Sequence, residues 1–266
     1  MQSLAAFTES FLNFERDGNL FAIDLKGHAY WAYLRYAVFY EILNKELEFV
    51  PRRSSVWKRS IDVLRAVPLC TGGILGKRTA YDVLLLNYHR RKPVDGKYVN
   101  IHTYLISKCL SRKYKVAVLD FYNWNVGREG YVCDAFSLRH LYLYVRAKSL
   151  ILPYTSDEQE VVDEIGAKLK RAFGVEIDLW RLTRSVYSFQ ILLYQEFRKV
   201  LEVYNPKLIG YCNTANLQGV TEAARDAGVP TVDFQHSLIS YLNILYNYPQ
   251  EHVKEPPSVG SDFIFS

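Results

Sequence analysis

Four short apolar runs alternate along this chain with longer segments that have helical spacing. The runs are continuous, which is typical of strands buried on both faces of a sheet. In the longer segments apolar residues recur every three or four positions, as they do on one face of a helix. Strands that alternate with helices predict an α/β fold with a parallel sheet. The predicted strands cover residues 81–88, 115–121, 206–212 and 229–234, and the main predicted helices cover 3–14, 34–47, 99–110, 156–173, 178–204 and 217–228.

Capping residues mark some of the predicted helix ends. Ser156 precedes a helical segment as an N-cap, with Gln159 as its capping-box partner. Asp178 caps the following helix. The hydrophobic pattern of the stretch 127–153 is less regular. Residues 140–145 fit either a strand or a helix that begins at Ser137.

Trp31 and Arg35 lie four residues apart in the N-terminal region and share one helix face. Two interpretations stay open for this pair. The two side chains line a pocket, or the indole packs in the core with the guanidinium at its edge.

Composition adds few restrictions to this picture. The chain has 266 residues, of which 49% are hydrophobic and 23% charged, as in a soluble globular protein with a sizeable core. The four cysteines are widely spaced and show no metal-type pairing. The N-terminus has no signal-peptide pattern, and no apolar stretch is long enough for a membrane span. These features predict a cytoplasmic protein with reduced thiols.

Positive charge is concentrated in one region. The net charge of the whole chain is +5, whereas residues 51–100 carry eleven Lys or Arg against three Asp. This basic 51–97 region, which begins with a predicted amphipathic helix over 51–67, is either a solvated surface or a face that meets the inner membrane or a phosphorylated substrate. No nucleic-acid-binding motif accompanies it, so we expect no nucleic-acid partner.

Each predicted strand is followed by polar residues. In an open parallel sheet, ligands bind beyond the carboxyl ends of the strands. His236 is the candidate general base, because an imidazole titrates near neutral pH. Arg90 and Arg91 can hold a phosphate or carboxylate, or they form a surface turn. Asp120 and Asp233 either orient a catalytic group or point into solvent. The candidate substrate-binding residues are Gln235, Asn213, Thr214, His89, Arg90, Arg91 and Asn123, and no metal site is predicted.

Residues 223–237 read Ala-Ala-Arg-Asp-Ala-Gly-Val-Pro-Thr-Val-Asp-Phe-Gln-His-Ser. This helix–Gly-Val-Pro–strand–Gln-His pattern resembles bacterial surface-polysaccharide glycosyltransferases of the two-domain GT-B type, which include capsule, lipopolysaccharide and teichoic-acid-like enzymes. Ser237 stands where those enzymes usually have glycine. The segments 23–35 and 82–97 are similar to their N-terminal portions, and residues 260–265 look like the start of their second domain.

The resemblance implies the first half of a GT-B architecture. We expect an N-terminal helical segment over residues 1–79 packed on the core, a Rossmann-like α/β domain with its parallel sheet flanked by helices over 80–260, and the start of a missing second domain at 261–266. In such enzymes the first domain binds the acceptor and the second binds the nucleotide-sugar.

These expectations lead to one main functional prediction. The chain is the acceptor-binding domain of a glycosyltransferase in cell-surface polysaccharide biosynthesis, with His236 near the acceptor hydroxyl. It binds a glycan or lipid-linked acceptor and holds no cofactor itself, and the donor half belongs either to a missing second domain or to a partner. The alternatives are a non-catalytic Rossmann-like binding or scaffold module and a basic peripheral membrane protein.

Overall fold

The chain folds into two compact units, each assembled from separate stretches of sequence. The computed structural model describes residues 3–46, 80–87, 91–94, 97–120, 136–212, 217–234, 243–249 and 261–265. The first unit comprises Met1–Arg52, Ala147–Leu192 and Leu238–Gly260, and the second comprises Arg53–Arg146, Leu193–Ser237 and Ser261–Ser266. The predicted division at residue 79 falls at the end of an undescribed stretch and stays a prediction.

A six-stranded sheet in which every neighbouring pair is parallel forms the centre of the second unit. In spatial order the strands are β10 (Phe263–Phe265), β9 (Thr231–Phe234), β8 (Leu208–Tyr211), β3 (Val83–Asn87), β6 (Val116–Asp120) and β7 (Phe136–Ser137). If these six strands are renumbered 1 to 6 by their order along the chain, the sheet reads 3-2-1-4-5-6 from β7 to β10. This strand order is characteristic of Rossmann-like sheets. The predicted α/β Rossmann-like fold is therefore confirmed.

The strands β3, β6, β8 and β9 form where the apolar runs predicted them. All five residues of β3 are buried, as expected for a strand in the middle of a covered sheet. Gly228 follows the helix before β9 with a positive φ of 68°, a conformation in which a residue with a Cβ is strained. Helices of this unit are α3 (Tyr104–Leu110) and α8 (Gln218–Asp226), together with most of α4 (Arg139–Ser149) and of α7 (Ser188–Tyr204).

In this unit one local prediction is wrong, and the structure decides between two alternatives for another segment. The segment 99–110 is not one helix, because β4 (Arg91–Val94) and β5 (Lys97–Asn100) form an antiparallel hairpin before α3 begins. Val94 pairs with Lys97, so an Asp-Gly dipeptide, a sequence favoured in two-residue hairpin loops, separates the strands. Residues 140–145 lie in the helix α4, which decides that open prediction.

The first unit is built from helices around an aromatic core. Phe7, Phe11 and Phe39 pack with their ring centroids 5.0 to 6.5 Å apart, and Trp31 stacks on Phe11 at 6.0 Å. Leu20–Ala22 form a 3-10 turn, and Thr183–Tyr187 form a π-helical turn. The other elements are α1 (Leu4–Asp17), α2 (Tyr30–Glu46), α5 (Ser156–Phe173), α6 (Leu179–Leu182) and the short hairpin β1 (Asp24–Leu25) and β2 (His28–Ala29).

Helix ends in this unit follow the sequence signals closely. Asp178 caps α6 by accepting the N–H of Arg181, as predicted. The cap of α5 lies one residue earlier than predicted: Thr155 is the N-cap, and Glu158 completes its capping box. Among the described helices, none is both long and apolar enough to cross a bilayer.

Trp31 and Arg35 lie in the core rather than at a pocket. They are 0% and 3% exposed, and both donate to the fully buried carboxylate of Glu15 on α1. The Arg35 guanidinium contacts both carboxylate oxygens at 2.7 Å, and the Trp31 indole N–H contacts one of them at 2.7 Å. Arg35 also donates to the carbonyls of Ile244 and Asn247. One buried ion pair therefore connects α1, α2 and the segment 243–249.

Candidate functional site at the carboxyl edge of the sheet

Polar side chains end the central strands of the sheet. Asn87 ends β3 and pairs in register with Asp120 at the end of β6. Tyr211 ends β8 and pairs in register with Asp233 on β9. Because the strands are parallel, these ends meet at the carboxyl edge. All four residues are buried, and Asp120 and Asp233 are 1% and 0% exposed.

The four residues form two pairs on opposite faces of the sheet. Register partners in neighbouring strands place their side chains on the same face, and successive residues alternate. Asn87 and Asp120 therefore share one face. Tyr211 is in register with Leu86 and with Asp233, so Tyr211 and Asp233 share the other. A polar pair thus lies on each side of the edge where strand order reverses, between β3 and β8.

A hydrogen-bond network fixes the first pair. Thr103, which precedes α3, donates its hydroxyl to the Asn87 side-chain oxygen. The Asn100 side-chain oxygen accepts the N–H groups of His102 and Thr103 at 2.9 and 3.2 Å. This turn holds the start of α3 against the end of β3, and Thr103 is 2% exposed. The network positions Asn87 next to the carboxylate of Asp120.

Around the second pair, burial keeps the Tyr211 hydroxyl and the adjacent Cys212 thiol neutral. Burial raises the pKa of the Tyr211 hydroxyl above its usual range. Burial, with a smaller contribution from the Asp233 carboxylate, raises the pKa of the Cys212 thiol to about 12. A thiol with this pKa is not a nucleophile near neutral pH. Cys212 is therefore a packing residue of the edge and not a reactive group.

Most of the sequence-predicted site falls outside the described residues. His236, Gln235, Asn213, Thr214, His89, Arg90 and Asn123 all lie there, so their proposed roles stay predictions. Arg91 is the exception. It begins β4 and pairs in register with Asn100, the residue that orders the turn before α3.

The buried carboxylates received too little weight from the sequence. Solvent exposure was one of two interpretations for Asp120 and Asp233, and the structure excludes it for both. Gln218, the first residue of α8, was not considered; it is 5% exposed, and its side-chain oxygen has no hydrogen-bond partner in the described part of the chain. The available signal was the position of each acid, at or next to the end of an apolar run. Such acids are buried only when the edge is covered, which depends on tertiary packing.

No metal site accompanies these residues in the described part of the chain, where no three His, Cys, Asp or Glu side chains are grouped in a way that could hold an ion. In comparisons with known proteins, no family model, no curated protein and no solved structure matches this chain. The functional assignment therefore depends on the chain's own fold and on the chemistry of its sheet edge.

Proposed function

We propose that this protein is the acceptor-binding half of a glycosyltransferase that builds a cell-surface glycan, and that the acceptor binds at the carboxyl edge between β3 and β8. The observation that carries the proposal is the strand order of the parallel sheet. Chain connections leave in opposite directions from β3 and β8, and ligands of such sheets bind in the crevice that this reversal creates.

The polar groups of the edge suit a ligand rich in hydroxyls. Asp120 and Asn87 supply a carboxylate and an amide on one face, and Asp233 supplies a carboxylate on the other. Carboxylates accept hydrogen bonds from sugar hydroxyls, and a hydrogen bond to a charged group contributes about 1.5–3 kcal/mol.

The described part of the segment that resembles glycosyltransferases, residues 223–234, forms the end of a helix and a strand. α8 is followed by Gly228 and then by β9, which ends at Phe234. In the chain, Gln235 and His236 come directly after this strand end. His236 would act on the acceptor hydroxyl as general base, and the nucleotide-sugar would be bound by a separate donor half of the enzyme.

Binding to the purified chain tests the proposal. Ligand-observed NMR should detect short oligosaccharides and should not detect nucleotide-sugars. Asp120→Asn and His236→Ala should each weaken oligosaccharide binding by about tenfold, or ~1.4 kcal/mol. Asp82→Asn is the matched control, because Asp82 precedes β3 at the opposite, amino end of the sheet.

Four results would contradict parts of the proposal. If Asp120→Asn and Asp82→Asn weakened oligosaccharide binding equally, the binding site would not lie at the carboxyl edge. Preferential binding of nucleotide-sugars, or efficient sugar transfer by the chain alone, would refute the acceptor-half assignment. Unchanged glycan production in cells carrying His236→Ala would favour a non-catalytic binding module. Circular dichroism of each variant separates lost binding from lost folding.

A further inference from the structure

A cavity separate from the sheet edge lies in the first unit, between α1 and the C-terminal half of α5. Its volume is about 650 Å³, within the range of small-molecule sites. All of its lining residues belong to these two helices or to the residue after α1. The principal ones are Ser10, Asn13, Phe14, Asp17, Lys168 and Arg171.

The α5 side of the cavity supplies positive charge. Lys168 and Arg171 are three residues apart on α5 and so share a helix face. Lys168 forms an ion pair with Glu164, with 2.8 Å between Nζ and Oε1. No described residue forms a hydrogen bond or ion pair with Arg171. Its planar guanidinium is suited to bidentate contact with a carboxylate or phosphate.

The α1 side supplies neutral polar groups and a ring. Asn13 offers an amide with both donors and an acceptor. The Ser10 hydroxyl donates to the Ala6 carbonyl at 2.9 Å. The ring of Phe14 is held in place by Trp31 and Phe173, with centroids 6.1 and 5.3 Å away. The Asp17 carboxylate is paired with Arg16 at 3.0 Å, which reduces its repulsion of an anion.

We propose that this cavity binds an acidic sugar, with its carboxylate or phosphate on Arg171 and Lys168 and a hydroxyl on Asn13. The apolar face of the ring would lie against Phe14. A purely apolar ligand would bury the Arg171 guanidinium without a hydrogen-bond partner, which is unfavourable. The inference is independent of the function proposed for the sheet edge, because it involves other residues in the other unit.

The experiment titrates the full chain with four probes: glucuronic acid, glucose 6-phosphate, glucose and inorganic phosphate. We expect one or both acidic sugars to bind in the millimolar range or tighter and to bind better than glucose and phosphate. Which of the two binds better identifies the anionic group. Arg171→Gln should weaken acidic-sugar binding by about tenfold, or ~1.4 kcal/mol. Asn13→Ala should weaken the binding of acidic sugars but not that of phosphate.

Lys170→Gln is the matched control. Lys170 lies on α5 beside Arg171, does not line the cavity, and pairs with the exposed Glu176 at 3.4 Å. Equal losses in Arg171→Gln and Lys170→Gln would overturn the proposal, since they indicate charge attraction without a site. Phosphate binding as tight as sugar binding, or binding of none of the four probes, would overturn it as well. Asp120→Asn should leave this binding unchanged, which separates this site from the sheet edge.

Discussion

The two units bury polar groups in different ways. In the first unit, the core ion pair is surrounded by its own partners: Glu15 accepts from Trp31 and Arg35, and Arg35 also donates to two carbonyls. In the second unit, the buried acids Asp120 and Asp233 are gathered at one edge of the sheet. Buried carboxylates therefore occur in the middle of one core and at the margin of the sheet in the other unit.

This difference separates structural from functional polarity. A buried ion pair inside an aromatic core fixes the relative position of the elements that supply it, and it has no access to a ligand. Polar groups at the carboxyl edge of a parallel sheet occupy the place where such folds bind ligands. Burial alone therefore does not identify a functional residue, whereas burial at the end of a strand does so more reliably.

The largest expected effect comes from breaking the core ion pair. Arg35→Met removes the cation and leaves the Glu15 carboxylate buried, a change that typically destabilises by 3–5 kcal/mol. We expect the urea midpoint, followed by tryptophan fluorescence, to fall strongly, since Trp31 and Trp180 both belong to the first unit. In a double-mutant cycle, Glu15→Gln with Arg35→Met should cost less than the sum of the single changes.

A surface ion pair in the same unit provides the control for this prediction. Arg181 contacts Glu41 at 2.8 Å, and its side chain is 51% exposed. Exposed pairs contribute about 0–1 kcal/mol, so Arg181→Gln should shift the midpoint little. If Arg35→Met and Arg181→Gln had similar effects, the core ion pair would not be the structural element that the comparison assumes.

A glycine substitution tests packing of the sheet next to the proposed site. A Cβ at Gly210 would lie 2.5 Å from Cε2 of Phe234 and 2.9 Å from Cδ2 of Leu85. Overpacking of this kind typically costs about 1–3 kcal/mol. Gly210→Ala should therefore lower stability and speed amide exchange in β8 and β9.

Gly166→Ala is the matched change in the first unit. Gly166 lies inside α5, and a Cβ there would meet no atom within 4 Å. Alanine is favoured over glycine in a helix by up to ~1 kcal/mol, so this variant should be slightly stabilised. Opposite signs for the two substitutions are the expected result, and a loss of stability in both would contradict it.

Much of the fold was predictable from local sequence. Continuous apolar runs located β3, β6, β8 and β9, because strands covered on both faces need apolar residues at every position. Asp178 and Gly228 marked helix ends through their own backbone chemistry. The hairpin β4–β5 was missed although its Asp-Gly dipeptide is a local hairpin signal, because its strands are short and 99–110 was predicted as one helix. The association of 147–192 with the N-terminal helices also had no local signal, since it depends on contacts distant in sequence.

The candidate site was predictable only in part. The rule that ligands bind at the ends of parallel strands points to the carboxyl edge, and it brings Asp120 and Asp233 into consideration there. Their burial was not predictable, because it depends on Thr103, α3 and the register of neighbouring strands. The buried Glu15–Arg35 pair was equally hidden: helical spacing placed Trp31 and Arg35 together, but nothing local pointed to Glu15 as their partner.

The smallest expected effect concerns the opposite, amino end of the sheet, where the polar groups are partly exposed. Asp82 accepts a hydrogen bond from Lys207 at 2.8 Å and from the backbone N–H of Lys115 at 2.9 Å. Its contact with Lys207, helped by the Lys115 N–H, holds the pKa of the Asp82 carboxyl below its usual value of 3.8. A depressed folded-state pKa stabilises the fold at pH values above 3.8, and this contribution is lost as the pH falls through the folded-state pKa.

Asp82→Asn should therefore be slightly less stable than the wild type near neutral pH, and the difference should disappear in strongly acidic solution. Lys207→Gln, which keeps the Lys115 contact, should show a weaker form of the same pH dependence. Urea midpoints measured from pH 7 downward test this order, and a gap between Asp82→Asn and the wild type that persists unchanged in acid would show that the carboxylate acts through packing and not through its charge.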